Sequence, residues 1–275
     1  MLDLQAEYEV IVYAVGDTKA GTKMGKLQLK NLEDESILNC VLWEEALNRL
    51  DAKLFRCGNI LKIVNGTYNE KFNNCNVTNL KLIYEAKMGL SEPVREEHFA
   101  KIVKCANEIK NQDLKDYILN LLKTHEKELK VAPAAKMHHH NYIGGLIQHI
   151  IECIEFSQII KEKMIYKISD DDILGACILH DFGKIFEYKI DIETGLIDYD
   201  EDFRENWRTH TQWGYSNCMT MGFTNIAKMI AAHHSRIEWG AIIDLNEKNL
   251  EPMLYFIHHI DDLSAKFGKI SVKDL

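Results

Sequence analysis

One apolar stretch in the second half of the chain reads Ile173-Leu174-Gly175-Ala176-Cys177-Ile178-Leu179-His180-Asp181-Phe182-Gly183-Lys184. The seven residues before His180 are apolar or small, which predicts a buried helix, and Gly183 predicts a turn directly after it. A histidine beside an aspartate at the end of such a helix can bind one cation. An isolated His-Asp pair, however, is explained better by a buried histidine whose hydrogen bonds are made within the adjacent turn.

Further side chains of the metal-ligand type accompany this pair. In chain order the set is His149, His180, Asp181, His210, His233, His234 and Asp261. His149 lies inside a largely apolar helical segment, 142–160, where an unpaired imidazole would be costly. Two other apolar segments carry His233-His234 and Asp261. Four apolar helices that each carry metal-ligand side chains are poorly explained by chance. The pattern therefore predicts a site for divalent cations.

The composition is that of a soluble globular protein, with 46% hydrophobic and 27% charged residues. No apolar run reaches about 18 residues, so we expect no transmembrane helix and no membrane partner. The first five residues lack the basic-then-apolar layout of a secretory signal. The seven cysteines are scattered and form no C-x-x-C pair. This spacing argues against a disulfide framework or zinc knuckle and favours a cytoplasmic protein.

The net charge of −9 argues against indiscriminate binding to nucleic acid. Residues 1–90 are nearly neutral, with 11 Lys and Arg against 12 Asp and Glu, so the acidity lies almost wholly in residues 91–275. Two bound divalent cations would offset part of it. A nucleic-acid substrate would therefore need a local binding patch.

Residues 1–90 are predicted to form a β domain. The predicted strands are 8–15, 26–30, 37–43, 59–66 and 76–83. Between the third and fourth strands, Leu47, Leu50 and Leu54 follow helical spacing and predict a helix over 44–54. Five short strands with a helix in this place are the layout of an OB-fold, a small barrel that often binds single strands.

The hydrophobic period changes to that of helices at about Pro93, and residues 91–275 are predicted to be all-helical. We therefore expect a multidomain chain, in which an N-terminal all-β OB-fold barrel precedes an all-α helical bundle. The first domain would bind nucleic acid, and the second would carry the cation site.

Exposed aromatic rings and basic side chains would bind a single strand. The candidates in the first domain are Tyr68, Phe72, Lys19, Lys23 and Lys26. Tyr68 and Phe72 flank a polar loop, where stacking and ordinary exposure are equally plausible, and the three lysines also fit a solvated loop. Tyr13 and Trp43 are predicted to be barrel core rather than stacking platforms.

Several motifs now combine into a family resemblance. They are His139-His140-Asn141-Tyr142-Ile143-Gly144-Gly145-Leu146-Ile147-Gln148-His149, Leu179-His180-Asp181-Phe182-Gly183-Lys184, His233-His234 followed by Glu238-Trp239-Gly240, and His258-His259-Ile260-Asp261-Asp262-Leu263-Ser264-Ala265-Lys266. Residues 138–268 thereby resemble the HD-domain metal phosphohydrolases. More narrowly, they resemble the YhaM-type 3′–5′ exoribonucleases, which join an N-terminal OB-fold to an HD domain.

The resemblance implies roles for individual residues. His149, His180, Asp181 and Asp261 match the metal set shared by HD domains. His210, His233 and His234 match the histidines that complete a second metal. Asp181 and Lys184 would be catalytic, with Lys184 near a phosphate, and Arg236 would contact the substrate. Asp261 fits the motif register better than Asp262. His138 to His140 fit either the site entrance or a solvated loop.

The implied function is a metal-dependent hydrolase that removes nucleotides from the 3′ end of single-stranded RNA, with single-stranded DNA as a further substrate. Two cations about 3.5–4 Å apart would activate a water. Mn²⁺ is the first choice, and Fe, Ni, Zn, Mg and Co also suit the ligands. One alternative is hydrolysis of nucleotides or cyclic (oligo)nucleotides, and another is a non-catalytic strand-binding protein with a structural metal. A homo-oligomer is compatible with the sequence.

Overall fold

The computed structural model describes residues 5–136 and 140–267. Among these residues the chain forms two compact units. One unit contains residues 5–89 and 191–196, and the other contains 90–136, 140–190 and 197–267. None of the described helices is both long and apolar enough to span a membrane.

The first unit is built on five strands. They are β1 (Tyr8–Asp17), β2 (Lys23–Asn31), β3 (Ile37–Trp43), β4 (Ile60–Asn69) and β5 (Asn74–Tyr84). The strands pair in the order β1-β2-β3-β5-β4, and β1 also pairs with β4, which closes the barrel. The β3–β5 pairing is parallel, and the others are antiparallel. This topology agrees with the predicted OB-fold.

Side-chain alternation sets the barrel core. Leu27 and Leu29 of β2 are buried, as are Cys40 and Leu42 of β3, because strand residues two apart share a face. Trp43 follows Leu42 and therefore faces outward, with 50% of its surface exposed. The prediction that Trp43 belongs to the core was wrong.

Tyr13 does pack against the barrel core, where its ring stacks on Phe55 at a centroid distance of 4.4 Å. The predicted helix over 44–54 is split. It forms α1 (Glu44–Arg49) and a 3₁₀ turn (Ala52–Phe55), because Leu50 is extended and Asp51 accepts a hydrogen bond from the backbone N–H of Lys53.

The second unit is mainly helical, as predicted. Its helices are α2 (Glu92–Asn107), α3 (Gln112–Thr124), α4 (Glu126–Val131), α5 (Gly145–Lys161), α6 (Asp170–Leu179), α7 (Lys184–Glu187), α8 (Glu201–Trp207), α9 (His210–Thr220), α10 (Thr224–Ala232) and α11 (Met253–Phe267). One part of the prediction was wrong, because a short hairpin of β6 (Tyr188–Ile190) and β7 (Ile197–Tyr199) interrupts the helices.

Close approach at Gly145 lets α5 begin beside the preceding loop. A Cβ added there would lie 1.9 Å from the carbonyl oxygen of His140. That carbonyl accepts a hydrogen bond from the backbone N–H of Ala134 at 3.0 Å. The loop would therefore have to move to admit any side chain.

We predict that Gly145→Ala lowers the free energy of unfolding by about 1–3 kcal/mol, the usual cost of overpacking. Urea denaturation followed by circular dichroism measures the effect. Gly16→Ala is the control, since nothing lies within 4 Å of a Cβ at that position. Equal stability of the wild type and Gly145→Ala would contradict this account of the loop.

Candidate metal centre

The seven predicted ligands converge inside the second unit, although they come from five helices. His149 lies within α5, His180 and Asp181 follow α6, and His210 begins α9. His233 and His234 follow α10, and Asp261 lies within α11. Side chains separated by more than 100 residues in sequence thus reach one place in the core.

Small residues permit the close helix packing around this place. A Cβ on Gly175 of α6 would lie 2.5 Å from Ile226 Cδ1 of α10. A Cβ on Gly183 would lie 3.0 Å from both Cα and Cβ of His210. A side chain at Gly183 would therefore press on the backbone of His210, whereas one at Gly175 would displace the end of the Ile226 side chain.

Asp181 occupies the middle of the cluster and is fully buried. Its Oδ2 lies 3.2 Å from Nε2 of His149, and its Oδ1 lies 3.3 Å from Nε2 of His210 and 3.6 Å from Nε2 of His233. Asp261 Oδ1 also lies 3.3 Å from Nε2 of His149. The two oxygens of Asp181 therefore face different histidines.

Hydrogen bonds on the far side of three rings fix which nitrogen carries the proton. Nδ1 of His180 donates to the carbonyl of Cys177 at 3.1 Å, and Nδ1 of His233 donates to the carbonyl of Ile230 at 2.6 Å. Nδ1 of His210 bonds the carboxylate of Glu187. A neutral imidazole with a protonated Nδ1 presents a bare Nε2 lone pair. These lone pairs point at the Asp181 side of the cluster.

Bringing so many electron-rich atoms together favours cations between them. Nε2 of His149 and Nε2 of His180 are 3.1 Å apart. Buried atoms of Asp181 (Oδ1), His210 (Nε2), His233 (Nε2) and His234 (Nδ1) have no hydrogen-bond partner among the described residues. Such orphaned polar atoms are costly in a core unless something binds them. The donor set fits divalent metal ions.

The protonation states also suit a metal. Burial lowers the pKa of His180 to about 4. Burial, with repulsion from His233 and His210, lowers the pKa of His234 well below its usual value. Burial alone would raise the pKa of Asp181, but the charge of Lys184 and contacts with the histidines outweigh it and lower that pKa strongly. Neutral imidazoles and an ionised carboxylate are the forms that bind metals.

The pKa of His210 is raised, because the neighbouring carboxylates of Asp181 and Glu187 outweigh the effect of burial. Two carboxylates around one ring attract positive charge, which either a proton or a cation supplies. The His210 side of the cluster is therefore also electronegative.

The atoms of the seven predicted ligands form two overlapping groups, besides a third group in which Cys153 joins His149 and His180. In each group all of the ligand atoms lie within 4.8 Å of one another. One group contains His149, His180, Asp181 and Asp261, and the other contains Asp181, His210, His233 and His234. Asp181 belongs to both groups.

The comparisons with known proteins agree with this geometry. The HD domain family matches residues 146–266, a range that contains all seven residues of the cluster. We call residues 146–266, which match this family, the HD domain. A second family, TraI_2, described as a putative helicase, matches residues 82–172 and so overlaps the start of the HD domain.

Lys184 lies beside the cluster in the HD domain. Its Nζ donates to Asp181 Oδ2 at 2.6 Å, and the side chain is 9% exposed. The resemblance implied that Lys184 lies near the substrate phosphate. In the structure its ammonium group bonds the carboxylate of Asp181.

Several polar residues around the HD site were missed by sequence reasoning. Glu187 bonds His210, and Ser264 bonds His149 at 2.8 Å. Cys153 places Sγ 3.6 Å from Nε2 of His149, and burial raises the pKa of this thiol. His140 is buried rather than solvated, whereas His138 and His139 lie outside the described residues. The sequence showed only the helical spacing of Cys153 from His149 and of Ser264 from Asp261.

Five of the six residues predicted to bind nucleic acid belong to the first unit and lie apart from the metal ligands in the chain. Phe72 is 65% exposed, and the Lys71 ammonium lies 5.4 Å from its ring. Tyr68 packs partly against the core, and its hydroxyl bonds Asn73. Lys23 pairs with Asp17 at 3.1 Å.

Lys19 and Lys26 are both exposed. In the HD domain, Arg236 lies two residues after His234, and its guanidinium sits 4.8 Å from the ring of Trp239, which is 60% exposed. Arg236 is thus an exposed cation next to the last histidine of the cluster.

The two neighbouring aspartates of α11 provide a direct test of the ligand set. Asp261 contacts His149, whereas Asp262 is exposed. We predict that Asp261→Asn weakens Mn²⁺ binding by at least about 10-fold, because a charged ligand oxygen is lost, and that Asp262→Asn leaves it unchanged. Equilibrium dialysis measures both. Equal effects of the two substitutions would contradict the assignment.

Proposed function

We propose that this chain is a metal-dependent 3′–5′ exonuclease of single-stranded RNA, similar in architecture to the YhaM-type enzymes. The HD domain makes the chain a metal-dependent phosphohydrolase. The observation that carries the proposal is the central position of Asp181, whose two oxygens face two groups of histidines. An OB-fold barrel in the same chain supports a polymeric, single-stranded substrate.

The proposed metal ligands are the seven residues of the cluster, with Asp181 shared between two ions. Two bound cations would activate a water and bind the phosphoryl oxygens of the substrate. Asp181 holds its charge because Lys184 bonds it, and that bond leaves Asp181 less free to take a proton from the water. Lys184 also supplies positive charge next to the reacting group, which stabilises developing negative charge on a phosphate.

Arg236 is proposed to contact the phosphate backbone at the rim of the site. Its guanidinium stacks over Trp239, and both side chains are exposed beside the histidine pair. A planar guanidinium forms paired hydrogen bonds with phosphate oxygens. The indole face is also able to stack on a nucleobase.

The nuclease activity is tested with single-stranded RNA and DNA labelled at the 3′ or the 5′ end, with Mn²⁺ present. We predict products that shorten stepwise from the 3′ end. Asp181→Ala should slow this reaction by at least about 100-fold, as expected when a group that stabilises the transition state is removed. Asp262→Ala is the matched control and should remain active.

Intact polymer in the wild-type reaction would contradict the exonuclease proposal. Hydrolysis of nucleotides or cyclic oligonucleotides in parallel reactions would then favour the second candidate function. That candidate is supported by the charge distribution, since nearly all of the net −9 lies in residues 91–275 and disfavours a long polyanion at the HD domain.

The outer face of β2 and β3 is proposed to bind the strand. Lys26 of β2 pairs with Val41 of β3, and Met24 pairs with Trp43. Lys26 and Trp43 are both exposed, so the face offers one cation and one large ring. The second matching family, described as a putative helicase, supports nucleic-acid binding by the chain, but its match over residues 82–172 does not include this face.

We predict that Trp43→Ala weakens binding of a single-stranded RNA to the Asp181→Ala protein by about 1–3 kcal/mol, the range for a lost base-stacking contact. Fluorescence anisotropy measures the change. Phe72→Ala tests the hairpin candidate in the same assay, and Ile165→Ala is the control, since Ile165 is 98% exposed in the other unit. An unchanged RNA affinity of the Trp43→Ala variant would contradict the proposal that this face binds the strand.

A further inference from the structure

A second group of buried polar side chains lies behind His149, on the side away from Asp181. We call it the Glu152 network, and it consists of Glu152, Ser264, His140, Gln148 and Tyr142. The Glu152 carboxylate bonds Ser264 Oγ at 2.7 Å, Gln148 Nε2 at 2.6 Å and His140 Nε2 at 3.0 Å. Nδ1 of His140 in turn bonds the hydroxyl of Tyr142 at 2.9 Å.

The direction of the hydrogen bonds in this network is fixed by chemistry. A carboxylate only accepts, so the Ser264 hydroxyl donates its single proton to Glu152. The Ser264 oxygen is then an acceptor towards His149, and the ring must carry its proton on Nδ1, 2.8 Å away. Consequently Nε2 of His149 carries no proton, and it faces Asp181 and Asp261.

The Glu152 side chain is only 9% exposed. Burial alone would raise its pKa, but hydrogen bonds from His140, Gln148 and Ser264, together with the charge of His140, lower it. The carboxylate therefore stays ionised. A buried negative charge that acts on a ring through one hydroxyl makes that ring a better electron donor.

The network is held by three parts of the second unit. Glu152 lies one turn after His149 in α5, and Ser264 lies one turn after Asp261 in α11. His140 precedes α5, and its backbone is anchored by the hydrogen bond from Ala134 to its carbonyl. His149 and Asp261 therefore each have a network residue on their own helix, at a spacing that keeps both on one face.

We propose that Glu152, acting through Ser264, is the positioning residue for the His149 metal position. It orients the ring, fixes its tautomer and raises the affinity of this position for a divalent cation. Glu187, which bonds His210 directly, has the same role at the other position. The inference rests on the proposed metal role of His149 and His210, and it assigns a separate carboxylate to each of two cations.

The test is titration of the metal-free full-length chain with Mn²⁺, by calorimetry and equilibrium dialysis. Asp261→Asn identifies which binding step belongs to the His149 position. Glu152→Gln and Ser264→Ala should weaken that same step by about 10–100-fold, the usual effect of losing such a partner, and leave the other step unchanged. Glu187→Gln should show the reverse pattern.

Ser264→Thr distinguishes positioning from simple packing, because it keeps the hydroxyl while it adds a methyl group. It should restore most of the affinity that Ser264→Ala loses. Visible spectra of the Co²⁺-loaded proteins provide a second readout, since the bands of an ion at the His149 position should change in Glu152→Gln and return to normal in Ser264→Thr. The Mn²⁺-binding step at the His210 position is the folding control in the Glu152 and Ser264 variants, since it should keep its wild-type affinity if the variant is folded.

Wild-type affinity of both steps in Glu152→Gln and Ser264→Ala would overturn the inference, as would equal weakening of both steps. A wild-type chain that binds no divalent metal would instead overturn the proposed function. The two failures are therefore distinguishable in one set of titrations.

Discussion

The structure depends on one constraint, which is the presence of a buried carboxylate surrounded by imidazoles in an otherwise apolar helical core. Asp181 is fully buried, and its two oxygens face different histidines. Unpaired polar groups in a core are costly, and Lys184 compensates only part of this set. Cations between Asp181 and the imidazole nitrogens would remove the remaining cost. The site and the stability of the HD domain are thus linked through the same residues.

The surroundings of the cluster serve the same constraint. Glycines at 175 and 183 let helices approach closely enough for ligands from distant parts of the chain to meet. Bonds from Nδ1 to backbone carbonyls or carboxylates direct the Nε2 atoms inward. Two separate carboxylates, Glu152 and Glu187, lie behind the two sides of the cluster. The barrel meets a different requirement, since its alternating strands bury one face and leave Lys26 and Trp43 outside.

The sequence predicted the parts of the protein that depend on residue type and order. The OB-fold layout, the helical second half and the meeting of the seven ligand-type residues all follow from strand periodicity, helical periodicity and motif spacing. The sequence also indicated that either Leu42 or Trp43 faces outward, because adjacent residues of a strand face opposite sides.

Other features depended on tertiary structure and were beyond a reading of the sequence. The strands of the β6–β7 hairpin have three residues each, too few for a periodic signal. The helix predicted over 44–54 breaks at Leu50, where the Asp51 cap outweighs helical spacing. The partners of the histidines were missed because they are distant in the chain. His149 and Ser264, for example, are 115 residues apart.

The most direct test of the account is electron paramagnetic resonance of the wild-type protein loaded with two equivalents of Mn²⁺. If Asp181 bridges two ions, the spectrum will show a magnetically coupled pair, and Asp181→Asn will lose that coupling. A spectrum of isolated Mn²⁺ ions in the wild-type protein would contradict the shared position of Asp181, on which the proposed chemistry depends.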